Sequence, residues 1–401
     1  MSVRQNCSLK LSRIFWTTGN SGDFIMSSKK VFIDLDAVKS ELAKLGVNNP
    51  TEKALAINTK VKALISGYKE RPSIAKEQYK SAELFHEVYP SNDGLRLPQW
   101  VLNRIDEARV LGPSAQLVIF PDGKKYQINN SLNDLSASEW LNFTTSVFST
   151  SYATSGKDSF AHNIRKIHPS PKPPQLMRDI ISFFTKEGDI VLDYFMGVGG
   201  SLLGASLCGR KAIGIELNQT YIDAYKKAAE ALCLPLHSTI QGDCLEILQN
   251  KTKIEELTNK HDVSLILIDP PYGNMMAREK TGGDISVYGN VGTPFTNDPR
   301  DLGNMPVDNC IESIKKSVEL AQKFLKTRGY IVVFIKDLQP KRKNTNILHS
   351  QIISKINEIP NIQYKGLRVW VDKSAKLFPY GYPLSFVANQ IHQYILVFRK
   401  E

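Results

Sequence analysis

The stretch Ile190-Val-Leu-Asp193-Tyr-Phe-Met-Gly197-Val-Gly199-Gly-Ser201, followed by Lys211-Ala-Ile-Gly-Ile-Glu216, decides the fold. Its branched apolar residues predict two buried strands, and its glycines predict a tight turn that opens a helix. The order of strand, glycine turn, helix, strand and acid is typical of the first half of a nucleotide-binding βαβ unit. We therefore predict an α/β fold of Rossmann-like type, with its ligand at the carboxyl ends of the strands.

Glu216 ends the second of these strands, 19 residues after Gly197. A carboxylate at that position can accept hydrogen bonds from both hydroxyls of a ribose, and glycines let the backbone approach the ligand. No Gly-Lys-Ser/Thr phosphate loop occurs in the sequence, which argues against an ATPase.

A second chemical signal is Val263-Ser-Leu-Ile-Leu-Ile268, a predicted buried strand, followed at once by Asp269-Pro270-Pro271-Tyr272. Neither proline has an N–H to donate, so the turn offers a carboxylate, outward carbonyls and an aromatic face. This set suits a flat ring that carries an amine. The alternative is an ordinary junction between a strand and a turn.

Asp243 follows Glu216 by 27 residues, where we predict the end of a third strand. It is placed to meet the edge of an adenine ring. The alternative is that its carboxylate caps a helix N-terminus.

Together the motifs resemble the N6-adenine/N4-cytosine DNA methyltransferase family. The resemblance rests on His168-Pro-Ser-Pro-Lys172-Pro, on the glycine turn, on Gly-Ile-Glu216 and on Asp269-Pro-Pro-Tyr272, and it covers most of residues 136–401. Their order is similar to the gamma arrangement of that family. Tyr194 replaces the usual proline, and Gly200-Ser201 replaces the usual pair of threonines.

The resemblance implies S-adenosyl-L-methionine as the cofactor. It implies that Phe195 packs on this cofactor, that Gly197 and Gly199 line its turn, and that Lys172 and Asp193 lie near its methionine end. Glu216 and Asp243 complete the cofactor-binding set, and no metal is expected.

The resemblance also implies that Asp269, Pro270, Pro271 and Tyr272 are catalytic. Asp269 and the Pro270 carbonyl would hold the amine, and Tyr272 would stack on a base flipped out of double-stranded DNA. Asp at the first position favours N6 of adenine over N4 of cytosine. Two other classes remain open: an RNA guanine-N2 methyltransferase, and a non-catalytic DNA-binding subunit.

Composition is consistent with a nucleic-acid partner. The net charge of the 401 residues is +11, and it is uneven: +4 over residues 1–150, −3 over 151–310 and +10 over 311–401. A basic quarter, which includes Lys341-Arg342-Lys343, suits contact with phosphates. The alternative is a solvated lysine-rich surface.

Cysteine usage and hydropathy indicate the compartment. The five cysteines form no Cys-x-x-Cys pair, and no apolar run is long enough for a transmembrane helix. We predict a cytoplasmic, nucleoid-associated enzyme, with a cognate restriction endonuclease as a possible partner.

Four segments are predicted. Residues 1–28 are a disordered tail or, if the true start is Met26 rather than Met1, upstream sequence. Residues 29–150 are a mainly helical accessory region. Residues 151–401 form the catalytic domain, within which 273–309 is a candidate target-recognition or mobile loop. Within the accessory region we predict a hairpin at 117–128 and a capped helix after Ser136. In the catalytic domain we predict a terminal strand pair at 367–371 and 393–399.

Overall fold

The computed structural model describes residues 35–44, 46, 48–53, 96–110, 117–274, 295–341 and 344–401. The chain divides into two compact units, Met1–Tyr79 and Lys80–Glu401. In the first unit the described residues include helix α1, Leu35–Lys44. The predicted tail at 1–28 lies outside the described residues, as do residues 54–95 of the predicted helical region and the central part of the predicted loop, residues 275–294.

The second unit is built on a sheet of eight strands in the described chain. The strands are β4 (Val147–Thr150), β5 (Ile190–Asp193), β6 (Lys211–Glu216), β7 (Ser238–Gln241), β8 (Val263–Ile268), β9 (Leu325–Ile335), β12 (Ile362–Asp372) and β13 (His392–Lys400). They take the order β4-β12-β13-β9-β8-β5-β6-β7. Strands β5 to β9 run parallel, β13 is antiparallel to both its neighbours, and β4 pairs in parallel with β12. The predicted Rossmann-like α/β fold is confirmed.

Helices cover both faces of this sheet. Successive side chains of a strand point to opposite faces, so Leu192 joins the core beneath one helix layer and Val191 the core beneath the other. Every residue of β5 and of β8 is buried, as their apolar sequences predict. The helices of this part are α4 (His162–Arg165), α5 (Pro174–Phe184), α6 (Gly200–Leu207), α7 (Gln219–Ala231), α8 (Cys244–Gln249), α9 (Lys251–Leu257), α10 (Val307–Ala321) and α11 (Leu348–Asn357); α2 (Gln99–Leu102) and α3 (Ala137–Phe143) precede them.

Residues 96–150, which we predicted as part of a mainly helical region, contain several short strands. Strands β1 (Arg109–Val110), β2 (Leu117–Ile119) and β3 (Lys125–Gln127) form an antiparallel sheet, and the predicted hairpin turns at Gly123. The predicted capping box of Ser136 and Glu139 is present at the start of α3. A separate short hairpin near the basic run consists of β10 (Leu338–Lys341) and β11 (Asn344–Asn346); Arg342 and Lys343 lie outside the described residues.

The segment before residue 151 is joined to the catalytic sheet. Asp134 lies 2.7 Å from Arg210 and 3.8 Å from Lys186, and the Asn133 amide donates to the Phe183 carbonyl at 2.7 Å. Strand β4 extends the main sheet itself. The predicted domain boundary at 150/151 stays a prediction, whereas the division into compact units falls after Tyr79.

Among the described residues, no helix is long and apolar enough to cross a membrane. The same residues contain no group of three or more His, Cys, Asp or Glu side chains that could hold a metal ion.

Candidate active site

A deep cavity opens at the carboxyl ends of β5, β6, β7 and β8. It encloses about 1170 Å³, with the open solvent at its mouth included. Nine of the predicted site residues are among the described residues that line it: Lys172, Phe195, Gly197, Glu216, Asp243, Asp269, Pro270, Pro271 and Tyr272.

Asp193 and Gly199, the other two predicted site residues, shape the glycine turn from behind. The buried Asp193 carboxylate accepts hydrogen bonds from the Phe195 N–H at 3.0 Å and from the Ser201 hydroxyl. Burial raises the pKa of Asp193 to about 7. A Cβ on Gly199 would lie 2.2 Å from the buried ring of Tyr225, so this glycine is required for packing as well as for its φ of +73°.

Glu216 holds the turn from the cavity side. Its Oε2 accepts the Gly197 N–H and its Oε1 accepts the Asn218 N–H, both at 2.9 Å. Burial raises the pKa of Glu216 to about 7. Since each carboxylate oxygen has two lone pairs, both oxygens keep the capacity to accept a further hydrogen bond from a ligand.

Asp243 caps a helix, as one of its two interpretations predicts, and its role at an adenine edge stays a prediction. Its Oδ1 accepts the Leu245 N–H at 2.7 Å and caps α8, and the same side chain lines the cavity. The helix cap fixes the carboxylate at the cavity wall.

Asp269 is held by two side chains. The Lys172 ammonium lies 2.5 Å from its Oδ2, and the Tyr272 hydroxyl donates to its Oδ1 at 3.1 Å. The Lys172 side chain is only 7% exposed. Burial and the neighbouring Asp269 raise the pKa of Tyr272 well above its usual range. Lys172, expected near the methionine end of the cofactor, is therefore bonded to the predicted catalytic carboxylate.

Three aromatic groups that were not predicted as site residues close one side of the cavity. The His168 ring stacks on Phe295 with centroids 5.1 Å apart and meets the edge of Tyr221 at 4.9 Å. Burial lowers the pKa of His168 to about 4, so this imidazole is neutral at pH 7. His168 belongs to the lysine-proline segment, and this motif could have identified it as a site residue. No motif in the sequence pointed to Phe295.

Lys336 and Gln393 form another part of the wall that the sequence did not reveal. Ile335, the last residue of β9, pairs with Tyr394, so Lys336 follows the end of β9 and Gln393 precedes Tyr394 in the neighbouring β13. Burial lowers the pKa of Lys336, and the nearby Lys172 adds to this effect. Among the described residues, the buried Gln393 Oε1 has no hydrogen-bond partner. An unpaired buried acceptor at a cavity wall is a group that a ligand can satisfy.

Comparison with known proteins identifies a related family. Residues 114–227 match the family model described as DNA methylase, so the predicted resemblance to the N6-adenine/N4-cytosine DNA methyltransferases is confirmed. The matched segment holds the lysine-proline motif, the glycine turn and Glu216. The expected cofactor, S-adenosylmethionine, follows from the same match.

Two curated relatives match parts of the chain. A tRNA (guanine(10)-N2)-dimethyltransferase of Methanocaldococcus jannaschii is 35% identical over 119 residues, which are 29% of this chain and 33% of the relative. The type II methyltransferase M2.DpnII of Streptococcus pneumoniae is 42% identical over 64 residues, 16% of this chain and 24% of the relative. The matches thus span a third or less of these relatives.

Solved structures with a similar fold include TrmN from Thermus thermophilus, with a TM-score of 0.38 and 13% identity over 60% of this chain and 52% of that one. An rRNA methylase from Streptococcus thermophilus has a TM-score of 0.34 and 9% identity over 57% of this chain and 97% of that one.

Proposed function

We propose that this chain, which carries a domain of the N6-adenine/N4-cytosine DNA methylase family, transfers a methyl group from S-adenosylmethionine to N6 of adenine in double-stranded DNA. One observation carries the proposal. The glycine turn with Glu216 and the Asp269-Pro-Pro-Tyr272 turn line the same cavity, so a nucleoside-bearing cofactor and an amine-bearing ring can meet there.

The cavity fits the cofactor by its own chemistry. The half-buried Glu216 would accept ribose hydroxyls, Gly197 would let the backbone approach, and Phe195 would offer an apolar ring. Asp243, which lines the same cavity, would accept a hydrogen bond from the adenine amine of the cofactor. When bound, the cofactor supplies an electrophilic methyl on a sulfonium; every other function belongs to the protein.

The amine of a base is a poor nucleophile because its lone pair is conjugated with the ring. Hydrogen bonds from its two N–H groups to the Asp269 carboxylate and the Pro270 carbonyl would localise that lone pair on nitrogen. Lys172 and Tyr272 fix the carboxylate oxygens in place, so positioning and electrostatics provide most of the barrier reduction. The amine becomes acidic only as the new bond forms, and Asp269 then lies on the path of its proton.

A base within a duplex cannot reach this cavity, so the target must be flipped out. Tyr272 would stack on the flipped base, while its hydroxyl remains bonded to Asp269. His168, Phe295, Lys336 and Gln393 also line this cavity.

The substrate class has two competitors. The match to the family described as DNA methylase favours DNA, with N4 of cytosine as the alternative to N6 of adenine. Similarity to the tRNA (guanine(10)-N2)-dimethyltransferase favours an exocyclic amine of guanine in RNA. A DNA substrate would place the enzyme at the nucleoid in the cytoplasm, and it leaves a cognate restriction endonuclease as a candidate partner.

A methyl-transfer assay separates these classes. The protein is incubated with cofactor labelled in its methyl group and with plasmid DNA or bulk tRNA, and the modified base is then identified by mass spectrometry. We expect N6-methyladenine in DNA, and none with Asp269→Asn. Label confined to guanine in tRNA would replace this proposal with the RNA alternative, and label in neither would refute both.

A further inference from the structure

Two polar side chains of the cavity wall, those of Lys336 and Gln393, have no partner among the described residues. Neither makes a hydrogen bond or an ion pair with any of them, and the Gln393 Oε1 is buried. The neighbouring charges of Lys172 and Asp269, in contrast, are paired with each other. A polar group that is buried without a partner costs free energy, so a ligand that bonds to it stabilises the complex.

Strand order puts both side chains on the far side of Asp269 from the proposed cofactor residues. Asp269 follows β8, which lies between β5 and β9, and Glu216 and Asp243 belong to the ends of β6 and β7 beyond β5. Lys336 directly follows β9. Gln393 is the second residue of β13, whose start lies at the carboxyl end of β9 because the two strands are antiparallel. The cavity thus has one half at β5–β7 and a second half at β8, β9 and β13.

Both side chains also lie near Lys172. Phe334 and Ile395 pair across β9 and β13 and belong to one apolar core. Lys336 follows Phe334 by two residues and Gln393 precedes Ile395 by two, and each lines the cavity. The Lys172 ammonium lies 5.3 Å from the centre of the Phe334 ring, and burial and the Lys172 charge both lower the pKa of Lys336. The two unpartnered groups are therefore close to the ammonium that holds the catalytic carboxylate.

We propose that Lys336 and Gln393 select the target base by donating hydrogen bonds to the two ring nitrogens that flank the amine of adenine, N1 and N7. The inference rests on the proposed function and adds to it the residues that distinguish adenine. An ammonium has three donors and no acceptor. A carboxamide presents its NH2 group in place of Oε1 when it turns about χ3, a torsion with two broad minima.

Two donors beside the amine fit adenine and neither of the other amine-bearing bases. Adenine has a ring acceptor on each side of its amine. The amine of cytosine has N3 on one side and a C–H on the other, and the amine of guanine has an N1–H on one side. A donor left unpaired or facing another donor in a buried site lowers the rate, so this pair of side chains favours adenine over both.

The test combines side-chain variants with base analogues. Single-turnover methylation by Lys336→Met and by Gln393→Met is measured on a duplex with the sequence in which plasmid DNA becomes methylated. The target position carries adenine, 1-deazaadenine or 7-deazaadenine, and each analogue replaces one ring nitrogen with C–H. On adenine we expect a loss of about 10- to 100-fold for Lys336→Met, whose hydrogen bond is charged, and about 3- to 10-fold for Gln393→Met. Relative to the wild type, each variant should lose less than about twofold on the analogue that lacks its nitrogen, a different analogue for each.

Lys373→Met and Gln351→Met are the matched controls. Lys373 is an exposed lysine next to the end of β12. Gln351, in α11, is the other described residue whose buried Oε1 has no partner, and it is not among the residues that line the cavity. Both controls should keep wild-type rates on all three substrates, and all four variants should bind S-adenosylmethionine as the wild type does. Gln393→Glu keeps the shape but cannot donate, so it should repeat the Gln393→Met pattern and replaces that variant if it does not fold.

Equal losses on adenine and on both analogues would assign the two side chains to the DNA backbone or to the fold, and would overturn the inference. Unchanged rates on adenine, or weaker cofactor binding, would overturn it as well. A wild type that methylates no adenine in the duplex refutes the proposed function itself. An active wild type whose variants lose equally on all substrates refutes the inference alone.

Discussion

The pairing of Asp269 with Lys172 makes substitutions at Asp269 affect stability as well as chemistry. Asp269→Asn keeps the shape but loses the negative charge, so we expect methyl transfer to fall by about 10²- to 10³-fold. Asp269→Ala leaves the Lys172 ammonium, only 7% exposed, without its partner and should also reduce the free energy of unfolding by about 3 kcal/mol. Single-turnover methylation and urea unfolding measure the two effects.

The matched control is Lys172→Met/Asp269→Asn, which removes both charges. It should recover most of the lost stability and none of the activity, because an apolar replacement of a buried pair is often neutral. Wild-type stability in Asp269→Ala would show that water or another group solvates Lys172.

Glu216 should make cofactor binding depend on pH. Its pKa is about 7, raised from 4.5 mainly by burial, with Asp301 adding to the effect, and only the ionised form accepts two ribose hydroxyls. Cofactor affinity should therefore rise by up to about tenfold per pH unit below 7 and level off above it. Glu216→Gln should bind more weakly with a flat profile, measured by calorimetry from pH 5.5 to 8.5.

Asp193→Asn is the control for this profile. Asp193 also has a pKa of about 7, but it lies behind the turn, so the variant should keep the pH dependence. A flat wild-type profile would remove Glu216 from ribose recognition.

The raised pKa of Glu216 affects the stability of the unbound protein with the opposite pH dependence. Its contribution to the free energy of unfolding is largest below pH 4.5 and is lost as the pH rises to 7.

The glycine turn and the Asp269-Pro-Pro-Tyr272 turn could be predicted from the sequence alone. Each is a short motif of fixed residue order that directly follows a buried strand. Side-chain partners were not predictable in this way. Lys172 and Asp269 are 97 residues apart in sequence and meet only in the folded sheet. Lys172 was therefore expected at the cofactor, and Tyr272 was expected to stack without its bond to Asp269.

At the scale of elements, Gly199 in the glycine turn is subject to two constraints, close packing and a positive φ. Comparing its substitution with that of another glycine separates the two. Gly199→Ala places a methyl group 2.2 Å from Tyr225 and also strains a φ of +73°. Gly123→Ala, in the β2–β3 hairpin, has the same kind of strain at +82° with nothing within 4 Å. We expect a loss of about 1–2 kcal/mol for Gly123→Ala.

For Gly199→Ala we expect about 1–3 kcal/mol more, because the overlap is with a fully buried ring. Urea unfolding of the two variants gives the difference directly. Equal losses would mean that Tyr225 moves aside at little cost, and the turn would then owe its glycine to φ alone.

Strand periodicity predicted the parallel half of the sheet well, since β5, β6 and β8 are short, apolar and punctuated by glycine or proline. The antiparallel half was predicted only as a terminal strand pair. Nothing local in the sequence indicates that β13 lies between β12 and β9, because strand order is decided by long-range pairing. That placement brings Gln393 to the cavity, and it explains why the sequence did not reveal this wall.

For the whole second unit, two ion-pair groups link the segment before residue 151 to the main sheet: Asp134 with Arg210 and Lys186, and Arg96 with Asp189 at 2.5 Å. The side chains of Arg210 and Lys186 are each 7% exposed. Asp134→Ala would remove a carboxylate from two buried cations, and we expect it to lower the free energy of unfolding by about 3–5 kcal/mol. Asp122→Ala, which breaks an exposed pair with Arg104, is the control and should leave the unfolding midpoint unchanged. A small effect of Asp134→Ala would indicate that the Arg96–Asp189 pair and apolar contacts hold the two parts together.

The central position of β13 also has a consequence for synthesis. This strand is made by the ribosome after every other strand of the sheet, yet it supplies the only described link between β9 and β12. A chain interrupted before His392 would have two sheet fragments with unpaired edges and a cavity without Gln393. Translation must therefore pass this point before the cavity is complete, so truncated products would be exposed to proteases rather than released as active enzyme.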